Sequence, residues 1–212
     1  MRSYQSFAIA ASLLIAVPST FAATTVERIA NPKVHVTEVS LAPGESQPIP
    51  AKLPGAIVYM SAGTAEIAPA SGHPHKESVH EGETVPQPPT GGTITNAGTS
   101  PLHFVRVEFL TPGSSETWGM TGLPPNYKIL FEDRYCRAYD IKIEAHAKEP
   151  QHTHHDRVVV ALSGAQLEHI LPSGQIQPST LKTGEVVWRL GGTHIGHNLG
   201  NTNLWVIAIE PK

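Results

Sequence analysis

The chain has 212 residues, 15 Lys and Arg against 18 Asp and Glu, a formal net charge of −3 and one cysteine, Cys136. A mildly acidic sequence with no Lys/Arg cluster has no electrostatic footprint for nucleic acid or anionic lipid. A lone cysteine excludes an internal disulfide, so stability must come from core burial.

In chain order, residues 1–22 read as an export signal, with Arg2 in a positive leader, an apolar run from Phe7 to Val17 and a small-residue cleavage site at Thr20-Phe21-Ala22. Cleavage after Ala22 or Ala23 is expected, and with it a periplasmic or secreted protein. No later stretch reaches the roughly 20 apolar residues of a membrane span. Residues 23–112 alternate β-branched runs with Gly and Pro, giving strands at Val34 to Leu41, Ala56 to Met60 and Phe104 to Leu110. A hairpin turn is expected at Ser71-Gly72, and Pro86, Pro88, Pro89, Gly91 and Gly92 read as a rigid turn at a barrel mouth. The stretch from Thr111 to Asn126 is rich in Pro and Gly and marks a boundary, with residues 113–126 as linker. Residues 127–212 repeat the strand pattern at Cys136 to Ile143, Val158 to Leu162 and Leu204 to Ile209, with a turn at Ser173-Gly174. Helical periodicity is not sustained anywhere, so the fold class is all-β, two tandem barrels joined by a Pro/Gly-rich linker.

The two halves match at a constant offset of 102 residues: Pro48, Val58, Ser61, Glu66, Gly82 and Asn96 fall on Pro150, Val160, Ser163, Glu168, Gly184 and Asn198 without a gap. Shared residues are then mainly scaffold, and unshared polar residues are candidates for function. His152, His154, His194 and His197 face Pro50, Lys52, Gly92 and Thr95 in that register, which puts the chemistry in the second half.

In His152-Thr153-His154-His155-Asp156-Arg157 the strand period of two sets His152, His154 and Asp156 on one face and His155 and Arg157 on the other. Residues i and i+2 of a strand lie roughly 6.5 to 7 Å apart at Cα, so two imidazoles can reach one ion. His194 before the final strand is the natural third ligand. His155, His197 and Asn198 are candidates for the surrounding shell, and Asp156 is either a further ligand or an acceptor orienting a ligating imidazole. Arg157 is expected on the barrel exterior, and Val158, Val160 and Leu162 are expected in the barrel wall, keeping the metal pocket apolar. His73 and His75 read as a solvated hairpin, His169 as structural, and Trp188, Trp205 and Cys136 as packing residues.

On these residues the chain resembles the cupins, duplicated here as a bicupin of two small jelly rolls, over nearly the whole mature sequence. The first cupin motif is met by His152-Thr153-His154 and Gly164, the second by His194 and Asn198, with Gly192 an approximate fit. The motif's Glu is missing, since its place falls on Arg157 or Val158, and His146 stands where the first Gly is expected. The resemblance implies a degenerate first cupin, a divalent metal ion (Fe, Mn, Cu or Zn) in the second, a small-molecule ligand or substrate, and pairing of barrels, extending to a homo-oligomer. Three functions fit: a metal-dependent, dioxygenase-like oxidoreductase, a non-catalytic binding or structural bicupin, or a zinc hydrolase or isomerase. No carboxylate pair or Ser/His/Asp set offers a separate general base.

Overall fold

The computed structural model describes residues 23–212, and the expected export signal lies outside the described residues. The first half contains β1 (Thr24–Ala30), β2 (Val34–Leu41), β3 (Ser46–Ile49), β4 (Gly55–Tyr59), β5 (Gly63–Pro69), β6 (His75–Val79), β7 (Thr84–Gln87), β8 (Gly92–Asn96) and β9 (Leu102–Phe109). The second contains β10 (Lys128–Glu132), β11 (Cys136–Ile143), β12 (His152–His154), β13 (Arg157–Ser163), β14 (Ala165–Ile170), β15 (Ile176–Leu181), β16 (Val186–Arg189), β17 (Gly192–Asn198) and β18 (Leu204–Pro211).

Each half stacks a five-stranded sheet on a four-stranded one. The orders are β1-β2-β9-β4-β7 over β3-β8-β5-β6, and β10-β11-β18-β13-β16 over β12-β17-β14-β15. Every strand thus has its counterpart nine strands later, so the sequence repeat is a repeat of topology, and each half is a jelly roll. The expected turns close β5 on β6 and β14 on β15, with Ile67 opposite His75 and Ile170 opposite Ile176.

Side-chain alternation divides the five-stranded sheets between two cores. In β2, Val34 and Val36 point one way and Val39 and Leu41 the other; in β11, Cys136 and Ala138 oppose Tyr139, Ile141 and Ile143. The first set of each packs against the other half, and the second fills its own barrel. Val34, Val58, Val107, Val160 and Ile209 share one cluster between the barrels. Gly82 is needed there: a Cβ on it would lie 2.5 Å from Trp205. Cys136 is fully buried in this cluster and its thiol is pushed up by burial, so it acts as a small apolar side chain.

Val158, Val160 and Leu162 belong to the same inter-barrel cluster, which corrects their expected place at the pocket wall. The strand is not continuous from His152. It stops at His154 and resumes at Arg157, and the break moves the inward parity from even to odd residues. Arg157 therefore points inward with Val159 and Ala161 and is 7% exposed, not on the exterior.

Between β9 and β10 there is no strand or helix. Nevertheless the stretch is tied to the second half: the Arg137 guanidinium donates to the carbonyls of Gly119 and Thr121 at 2.8 and 2.9 Å, and Gly122 O accepts from Thr153 N at 2.9 Å. Trp118 stacks on His155 with centroids 3.9 Å apart.

Candidate metal centre

β12 and β17 pair with His152 opposite His194, and His154 lies two residues along the same face as His152. One nitrogen from each of the three rings lies within 4.8 Å of the others. His152 and His154 are buried and His194 half-buried.

The tautomers of His152 and His154 are set from behind. His152 Nδ1 lies 2.8 Å from Pro150 O, and a carbonyl only accepts, so Nδ1 carries the proton and Nε2 keeps its lone pair. His154 Nδ1 lies 2.8 Å from Tyr139 Oη, which donates in turn to Glu210 Oε1 at 2.9 Å, so the same tautomer results. Glu210 is fully buried and bonded to Arg137. Burial pushes its carboxyl up, but the nearby His154 ring, the Arg137 guanidinium and the Tyr139 hydroxyl outweigh that and leave it at about 2. Burial lowers all three imidazoles: His154 to about 3, and His194 to about 2 with neighbouring imidazoles adding to the effect. Neutral rings are the form that ligates a metal ion, and the Tyr127 hydroxyl lies 3.4 Å from His152 Nε2.

Four groups around this triad were not assigned to it from the sequence. Glu149, 7% exposed, places Oε2 3.9 Å from His152 Nε2. Burial raises its carboxyl to about 7, opposed by a hydrogen bond from Tyr127 and the charge of Arg157. Its backbone is fixed by Glu149 N donating to Gly196 O at 2.8 Å, and a Cβ at 196 would meet Oε2 at 2.4 Å, so a larger residue there would displace the carboxylate. The His169 ring lies 4.6 Å from that of His194, and burial lowers it to about 4. Arg157 and Arg189 complete the set, lining with His154, His169 and His194 a cavity of about 60 Å³ that opens beside a cleft of about 390 Å³. The Arg157 Nε has no protein partner, and its Nη1 makes only long contacts of 3.4 and 3.5 Å with His155 O and Leu190 O.

The other expected site residues lie elsewhere. Asp156 falls in the break after β12, where it accepts from Gly191 N at 2.7 Å and Lys33 Nζ at 2.9 Å, so it neither reaches the triad nor orients a ligating ring. His155 turns outward onto Trp118, and only its backbone N–H touches the shell, donating to Glu210 at 2.9 Å. His197 pairs with Glu168 at 2.9 Å on the outer side of β17. Asn198 closes a turn, donating to Ile143 O and Thr202 O and accepting from Gly200 N; Asn96 makes the equivalent bonds in the first half, so the pair is scaffold. His146 adopts φ 62° at the position of Gly44, φ 82°, in the first half, which explains the glycine expected there.

No family model matches the sequence, and no curated protein is similar to it. Solved structures share its architecture. A cupin 2 conserved barrel domain protein from Leptotrichia buccalis superposes with a TM-score of 0.60 at 14% identity, covering 94% of this chain and 93% of that one. AerE from Microcystis aeruginosa gives 0.63 at 12% identity over 90% and 97%. This is a cupin fold. Oxalate decarboxylase from Bacillus subtilis, which has Mn(II) centres, gives 0.60 at 12% identity over 92% of this chain and 78% of its own. The bicupin architecture accounts for the doubled topology, and the three histidines form a metal-competent cluster within it.

Proposed function

We propose that this bicupin is an exported metal-dependent oxidoreductase, dioxygenase-like, acting on a small carboxylate. Convergence of three neutral imidazoles beside the unpaired, buried guanidinium of Arg157 carries the reading. His152 and His154 through Nε2, and His194 through a ring nitrogen, would hold a divalent Fe, Mn or Cu ion, and Glu149 would supply the carboxylate that the motif lacks. Such an ion would supply Lewis-acid and redox chemistry when bound, with dioxygen as the oxidant and the substrate as the reductant.

The chain's own groups select the substrate. A buried guanidinium with no counter-ion is costly and is relieved by an anion, and Arg189 adds a second positive charge at the cleft. Tyr127, Ile141 and Leu167 give the inner cavity an apolar wall of low polarizability, which strengthens each of these charge interactions.

Oxygen uptake by the mature protein, loaded in turn with iron, manganese, copper or zinc and offered a panel of small mono- and dicarboxylates, tests this. We expect uptake with a redox-active ion and at least a tenfold rise in KM in Arg157→Gln. Carboxylate binding without uptake under any ion would reduce the protein to a binding module, and turnover with zinc but without oxygen would mark a hydrolase or isomerase.

A further inference from the structure

The first barrel has a cavity of its own, about 260 Å³, which the metal-site reading does not use. Ile57, Ile67, Gln87, Gly92 and Ile94 line it at the positions where Val159, His169, Arg189, His194 and Gly196 line the cavity of the second barrel. Gly55 stands in the place of Arg157. The same pocket has thus exchanged imidazoles and guanidinium groups for apolar surface.

Two buried polar side chains remain in its wall. Tyr59 is fully buried and Gln87 is 6% exposed. Arg106 Nε donates to Gln87 Oε1 at 2.7 Å, which fixes the amide so that Nε2 is its free end. Neither Gln87 Nε2 nor Tyr59 Oη has a partner among protein groups, and both residues line the cavity. Buried donors are rarely left unpaired, and two on one cavity ask for an acceptor oxygen. Burial keeps the Tyr59 phenol protonated, with the charges of Glu77 and Glu83 acting in the same sense. Glu77 also lines the cavity with a partly exposed carboxylate, which disfavours an anion there.

We infer that the first barrel is a second ligand site, taking a small, neutral, largely apolar molecule whose carbonyl oxygen accepts from Tyr59 Oη and Gln87 Nε2. The site is independent of the metal centre and stands whether or not the second barrel is catalytic.

The test is NMR titration of isotope-labelled mature protein with cyclohexanone, methylcyclohexane and cyclohexanecarboxylate in turn. Cyclohexanone should bind most tightly and shift signals of β4, β5, β7 and β8. Tyr59→Phe and Gln87→Glu, the latter keeping the acceptor for Arg106 but removing the donor, should each weaken cyclohexanone about tenfold and leave methylcyclohexane unchanged. Ile67→Trp, which fills the cavity, should abolish binding and serves if either polar variant fails to fold. No cyclohexanone binding, equal affinity for the hydrocarbon, a preference for the carboxylate, or shifts confined to the second barrel would overturn the assignment, as would folded variants that bind like the parent.

Discussion

A histidine ligates a metal ion only as the neutral ring with its lone pair aimed at the ion, and the groups behind His152 and His154 impose both conditions. Tyr139 does so for His154 while bridging to Glu210. Tyr139→Phe should therefore lower metal affinity about 10- to 100-fold with the strands intact, read by competition with a chromogenic chelator; unchanged affinity would show that Tyr139 only packs. The depressed imidazoles also give the metal-free protein a pH dependence. His194 titrates near 6.5 when unfolded and at about 2 when folded, so below about pH 6.5 the unfolded chain takes up a proton that the folded chain refuses, and stability falls with pH. Glu149, raised to about 7, works in the opposite sense, as does His35, whose pKa is raised by Glu108 and Glu27. Comparing urea midpoints at about pH 7 and about pH 5 in the parent and His194→Gln isolates one imidazole. The drop should be smaller in the variant, and an equal drop would contradict neutral burial of His194.

At the scale of the strand, the break between β12 and β13 decides where side chains point. Carrying His152's parity through to Val160 placed Asp156 in the site and Arg157 outside, and both assignments fail because the two residues between the strands shift the alternation by one. Nothing in His155-Asp156 announces such a break, as neither is Gly or Pro. Asp156→Ala should accordingly leave metal content unchanged and cost about 1 kcal/mol through its bonds to Gly191 and Lys33; loss of metal would restore it as a ligand. The strand set and the triad were legible, because β-branched runs and His-x-His with a downstream His are local patterns. The rest of the pocket was partly legible in the repeat: His169 opposite Ile67 and Arg157 opposite Gly55 are unshared polar residues of the kind that marked the triad. Glu149 gave no such signal, since its counterpart Gln47 is also polar and only β17 and Gly196 bring it to His152.

Over the whole molecule, the barrels share one apolar cluster in which Val34, Val58 and Val107 of the first half meet Val158, Val160 and Ile209 of the second. The halves should consequently unfold together, and Ile209→Ala should lower the stability of that single transition by about 2–5 kcal/mol; two separate calorimetric transitions would contradict a shared core. Export is checked by N-terminal sequencing of the protein recovered from the periplasm or medium of an expressing host, where a start at Ala23 or Thr24 is expected and retention of Met1 would refute the signal. The central claim is that the second barrel holds one divalent ion on three histidines, and its most direct test is elemental mass spectrometry of untagged mature protein beside a His152→Ala/His194→Ala double variant. The account predicts close to one iron, manganese, copper or zinc per chain in the parent and none in the folded variant. No ion in the parent, with a melting temperature unmoved by adding these metals, would contradict it.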